Sequence, residues 1–116
     1  MVNINGEAWS IKLVSPNHPY LRRPTGSFSI GCCDDITKTI YINENVNEVY
    51  LKKVLCHELV HACMYSYNIE LNDEQEEVLA DLIATYGHEI MNITNSIFKR
   101  LSDCRNGNKG KSCNIT

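Results

Sequence analysis

The sequence predicts an α+β fold in a single domain: a small three-stranded, mostly antiparallel sheet packed on one helix, followed by a second long helix. Two observations carry this reading. Three short segments suited to strands lie before Glu44, and two stretches of helical character follow, one from Val46 to Tyr67 and one from Glu74 toward Leu101. A sheet laid on the first helix would give each element a covered face.

Ala8 to Val14 (A-W-S-I-K-L-V) alternates as a strand, with Trp9, Ile11 and Leu13 on one face. Ser15 to Gly26 holds all three Pro together with His18, Tyr20, Arg22 and Arg23, and reads as a loop. Phe28 to Cys33 is expected as a second strand and Thr39 to Asn43 as a third, joined into a hairpin by the turn around Asp34-Asp35. Asn45 and Glu48 are spaced as a capping box for the first helix, whose apolar surface includes Val54, Leu55, Leu59 and Met64. Asp73 and Glu76 are spaced the same way for the second, in which Gly87 is a possible kink or end.

Within the first helix stands His57-Glu58-Leu59-Val60-His61, an H-E-x-x-H sequence. Residues four apart share a helix face about 6 Å apart along the axis, so both imidazoles can address one metal ion. Glu58 points about 100° away on the same turn, where it can reach a metal-bound water as a general base without ligating the metal. The bland alternative is hydrogen-bonded core or surface residues. Two His and a Glu in an apolar run are costly to bury unless something satisfies them, which favours the metal.

Two His need a third protein ligand, and Glu77 in the second helix is the best candidate. Asp81, one turn further along, interrupts an apolar run and is placed to accept the second ring N–H of a ligating His, His57 first. Glu74 and Glu76 are better explained as acids at a helix N-terminus, favoured by the macrodipole. His88 lies about 16 Å along the helix from Glu77, too far to share the ion. Tyr65 and Tyr86 are possible oxyanion donors, but Tyr at helical spacing is more often core or interface.

H-E-L-V-H followed by E-V-L-A-D resembles the zincin metallopeptidases of the gluzincin type. The H-E-L-x-H-A start and the pattern of Glu77, Ala80, Asp81 and Ala84 resemble more narrowly the small ImmA/IrrE-like metallopeptidases of bacteria, phages and mobile elements, over about residues 36 to 90. The chain departs from them at Asp81, where many relatives have Asn, and in lacking a Pro-ended segment after the second helix. The resemblance implies a minimal zincin-like domain with one Zn2+ per chain. It also implies a protein or peptide substrate, with a transcriptional repressor as the regulatory target such proteins cleave or inactivate. In zincins an edge strand pairs with the substrate backbone, and Thr39 to Asn43 is the candidate, set against a plain packing role.

The chain of 116 residues, 43% hydrophobic and 22% charged with formal net charge −3, has the composition of an ordinary globular domain. The absence of a long apolar run or of a signal-like N-terminus predicts a cytoplasmic protein without membrane attachment. The six Cys are then expected as free thiols, and Cys56 and Cys63 as small buried side chains rather than zinc ligands. The sequons at Asn92 and Asn114 carry no meaning in that compartment. Residues 1–102 are expected to form the domain and 103–116 a basic, poorly ordered tail. Over residues 99–116 five cations face a single acid, Asp103, without interleaved aromatics, so no nucleic-acid partner is expected.

Three functional classes follow. The first is a zinc-dependent peptide hydrolase using His57, His61 and Glu77 for the metal and Glu58 for the proton. The second is a non-catalytic, metal-stabilised module that binds a regulatory partner. The third is a helical interaction domain without metal.

Overall fold

The structure is a computed structural model in which residues 1–107 are described. Residues Met1–Thr85 form one compact unit and the chain from Tyr86 a second.

The chain opens with a hairpin absent from the expected layout. Strand β1 (Val2–Ile4) pairs antiparallel with β2 (Glu7–Val14), Ile4 opposite Glu7. The two residues between them, Asn5 and Gly6, have φ of 49° and 81°. Such a pair fits a type I′ turn, whose twist matches that of the strands, and Asn-Gly adopts it at least cost.

After β2 the chain leaves the sheet, forms a 3-10 turn at Pro19–Leu21, and returns as β3 (Gly31–Asp34), which pairs antiparallel with β4 (Thr39–Asn43). β2 lies parallel to β4, with Ile11 opposite Ile40 and Leu13 opposite Ile42. The sheet therefore has four strands in the order β1-β2-β4-β3 and is mixed, not three-stranded and mostly antiparallel as expected. The long excursion after β2 carries β3 past β4, leaving the slot beside β2 for β4. The expected strand start at Phe28 is instead an isolated bridge to Arg22, and the strand begins at Gly31.

Helix α1 (Glu48–Ser66) covers one face of the sheet. Trp9, Ile40, Ile42 and Ala62 form the buried centre, ringed by Ile4, Cys33, Val46, Leu51, Val54, Leu55 and Leu59. Full burial of each large apolar side chain is worth about 1.5–3 kcal/mol. α1 packs against β1, β3 and β4, so of the expected apolar face of β2 only Trp9 is fully covered, and Ile11 and Leu13 stay exposed. Trp9 Nε1 donates to Ser66 Oγ at 2.8 Å, and Asn5 Nδ2 donates to Ser66 O at 2.9 Å, tying the end of the helix to the first hairpin. On the opposite sheet face the 3-10 turn packs over β3 and β4. Leu21 is fully buried, and Tyr20 and His18 stack on Tyr41 with centroids 4.6 and 5.3 Å away.

The caps fall beside the expected residues. Asn47, not Asn45, caps α1 by accepting from Val49 N, while Asn45 N donates to Asn43 Oδ1. The box before α2 (Asp73–Gly107) is formed by Asn72 and Gln75 in place of Asp73 and Glu76: each side-chain oxygen accepts from the other residue's backbone N–H. α2 is helical through Gly87, since one helical Gly costs only about 1 kcal/mol. It also continues to Gly107, so the expected tail from Asp103 begins inside the helix. Its remainder, with the sequon at Asn114, lies outside the described residues.

Cys32, Cys33, Cys56 and Cys63 are free thiols as expected, but Cys104 is disulfide-bonded. Cysteine spacing does not report the spatial approach that a disulfide requires. No helix among the described residues is long and apolar enough to cross a membrane.

Candidate metal centre

α1 sets His57 and His61 one turn apart on the same side, with ring centroids 4.9 Å apart and planes at 65°. Their Nε2 atoms approach to 3.2 Å. Glu77, on the first turns of α2, closes a triangle: Oε2 is 3.2 Å from His57 Nε2 and Oε1 is 3.0 Å from His61 Nε2. Among the described residues this is the one group of three side chains whose donor atoms converge closely enough to hold a metal ion.

The far nitrogens of both rings are occupied. His57 Nδ1 meets Asp81 Oδ1 at 3.0 Å, the contact expected of Asp81. His61 Nδ1 meets Glu76 Oε1 at 2.5 Å. A carboxylate only accepts, so in the neutral rings, the form that ligates a metal, both Nδ1 atoms carry the proton and both Nε2 atoms are left with lone pairs. Two imidazole lone pairs and a carboxylate then face one another with no donor among them, an arrangement a cation satisfies. Bonds of about 2.0–2.1 Å to a tetrahedral ion would separate its ligand atoms by roughly 3.3–3.4 Å, close to the edges observed. The donor set therefore fits a metal ion.

The bond from His61 to Glu76 is the part of the site that sequence reasoning missed, because Glu76 reads as an acid serving only the helix N-terminus. A signal is present all the same: Glu76 precedes Glu77 directly, and two adjacent helix positions can reach the two His of one turn. Glu74 is exposed and takes no part, as expected.

Glu58 is buried, with 7% of its surface exposed. Burial raises its carboxyl above the ordinary carboxylate range; His61 and His57 oppose the shift and Glu77 adds to it. Strand β3 passes directly over this side chain at Gly31. A Cβ at that position would lie 3.1 Å from Glu58 Cγ, Glu58 Oε1 and Val54 Cγ1, so glycine permits the close approach.

Two cavities adjoin the group, one of about 440 Å³ and one of about 320 Å³. Both are lined by His57, Glu58, Glu77, Gly31 and Arg23, and together they make up the cleft beside the site, the first its larger half and the second its smaller. Tyr65 lines the larger half, and burial, followed by the charge of Glu76, pushes its phenol up. Arg22 lines the cleft as well, whereas His18 is engaged with Tyr20 and Tyr41. Tyr86 and His88 belong to the second unit. Cys32 and Cys33 reach the cleft wall, and burial, followed by the charge of Glu58, raises both thiols. The strand that borders the cleft is β3. Thr39–Asn43, expected at the edge, is flanked by β2 and β3, because the hairpin turns outward from β2.

Comparison of the chain with protein-family models, curated proteins and solved structures returned no match.

Proposed function

We propose that this protein is a zinc-dependent peptide-bond hydrolase in which His57, His61 and Glu77 hold the metal and Glu58 moves the proton. The observation that carries the reading is the convergence of His57 Nε2, His61 Nε2 and Glu77 beside a buried Glu58, with the far ring nitrogens already bound by carboxylates. The resemblance of H-E-L-V-H and E-V-L-A-D to small zincin metallopeptidases supports it. It also suggests a transcriptional repressor, or another regulatory protein, as the target.

When bound, zinc supplies Lewis acidity that makes water a competent nucleophile near neutral pH. The chain's residues do the rest. Asp81 and Glu76 hold the imidazoles in the tautomer that presents Nε2. Glu58, one helix position from His57, takes a proton from the attacking water and delivers it to the leaving amine. The open edge of β3 offers backbone groups to an extended peptide. Elemental analysis should find near one zinc per chain, lost in His57→Ala. Glu58→Gln should keep the zinc and lose hydrolysis; a Glu58→Gln variant as fast as the parent refutes the mechanism.

A second reading, a non-catalytic metal-stabilised module that binds a regulatory partner, is favoured by one observation. Among the described residues every hydrogen bond and ion pair between α1 and α2 runs through His57 or His61. It predicts unfolding on metal removal and no effect of Glu58→Gln on partner binding.

A further inference from the structure

The charges in the cleft divide into two sets. The acids of the metal group are engaged, since Glu77 completes the group, Asp81 holds His57 and Glu76 holds His61, while Glu58 is buried and Asp73, in the wall of the larger half, is the one exposed acid there without a partner among the described residues. The cations in the same walls are not engaged. Arg22, Arg23 and Lys53 line the cleft, and none of their side chains makes a hydrogen bond or ion pair among the described residues. In a chain of net charge −3, three unpaired cations thus stand in the cleft walls against one unpaired exposed acid, Asp73, and the smaller half holds Arg23 and Lys53 without it.

Arg23 is the most pointed case, because it lines both halves of the cleft. Its backbone is held in a small closed loop: Arg22 bridges Phe28, Arg23 N donates to Ser27 O at 2.7 Å, and Gly26 N donates to Arg23 O at 2.9 Å. Gly26 sits at φ +90°, a conformation that glycine adopts at no steric cost. The loop therefore fixes where the guanidinium begins while leaving its five donors for something outside the chain. Lys53 faces the smaller half from α1, one turn before His57.

We propose that Arg23, assisted by Lys53, selects peptides bearing an acidic side chain close to the bond held at the metal group. This rests on the hydrolase reading and adds to it the class of substrate. Arg meets a carboxylate in a two-pronged, charge-assisted pair, a stronger contact than either partner makes with a neutral amide. Uncharged substrates leave the cations facing solvent and gain nothing from them.

The test uses two readouts on the full chain. The first is binding of fluorescein-labelled twelve-residue peptide pools, with one central position fixed as Glu, Gln or Lys, to the zinc-loaded Glu58→Gln variant by anisotropy. The second is cleavage of the same pools by the zinc-loaded parent. The Glu pool should bind roughly tenfold more tightly than the Gln pool at low salt, a margin that shrinks as salt screens the pair. Arg23→Gln in the Glu58→Gln background should bring the ratio close to one, Arg23→Lys should retain part of it, and Arg23→Glu should favour the Lys pool. Equal affinity for Glu and Gln pools, including no measurable binding of either, overturns the proposal. So does a preference that survives Arg23→Gln. A parent that cleaves no pool, while the Glu preference in binding stands, overturns the hydrolase reading and leaves the acidic preference in place.

Discussion

His61 Nδ1 donates to Glu76 Oε1 at 2.5 Å, joining the middle of α1 to the first turn of α2. Among the described residues Glu76 makes no other hydrogen bond or ion pair to the metal group, so its effect on a bound ion passes through the orientation and basicity of the imidazole. Glu76→Ala should weaken zinc affinity by about 10–100-fold, measured by competition with a chromogenic chelator. Glu74→Ala, at an exposed position on the same turn, should leave affinity unchanged.

Gly31 offers a separate handle on the base. A methyl group there would press on Glu58 Cγ and Oε1 from 3.1 Å. Overpacking of this kind costs about 1–3 kcal/mol. Gly31→Ala should bind zinc at parental stoichiometry yet show a lower kcat, because Glu58 is displaced while His57, His61 and Glu77 are not. Parental kcat in Gly31→Ala would contradict the close approach of β3 to the base.

Metal removal should loosen the attachment of α2 to α1. A ligand present at 100 times its Kd stabilises the folded state by about 2.7 kcal/mol. Chelation should therefore lower the Tm by several degrees, and adding zinc back should restore it. Scanning calorimetry with and without chelator reads this directly, and an unchanged Tm would argue against metal in the native protein.

Ser66 accepts from the buried indole of Trp9 at 2.8 Å. Ser66→Ala strands that N–H where water does not reach it, at a cost of about 1–3 kcal/mol. Urea denaturation should show the loss, with zinc stoichiometry intact.

Cys33 is raised by burial first and by the charge of Glu58 second, so its thiolate is scarce at neutral pH. In metal-free protein, alkylation of Cys33 should lag behind that of free cysteine at pH 8 and keep accelerating at higher pH. Removing the negative charge lowers the thiol pKa, so Glu58→Gln should speed labelling at a fixed pH. Mass spectrometry after iodoacetamide treatment distinguishes the two proteins.

How much of the fold and site is legible in the sequence depends on the range of the interaction. His57, Glu58 and His61 follow from one helical turn, and Glu77 and Asp81 from the chemistry that two imidazoles require. Glu76 hides behind a capping spacing it shares with Asp73, while the actual box lies one residue earlier at Asn72 and Gln75. The hairpin of β1 and β2 is marked by Asn5-Gly6, but β1 has only three residues, too few to show an alternation of its own. The parallel pairing of β2 with β4 has no local signature. It is decided by where the intervening excursion carries β3, and local alternation is the same whichever neighbour a strand takes.

That excursion has a consequence for how such a chain changes over generations. The closed loop from Arg22 to Phe28 forms part of the cleft wall, whereas the metal group stands on two helices that the loop does not interrupt. Doubling the length of a flexible surface loop costs only about 0.6 kcal/mol in closure entropy. Insertions and substitutions between Arg22 and Phe28 can therefore accumulate and reshape the cleft wall while the helices that carry His57, Glu58, His61 and Glu77 are inherited unaltered.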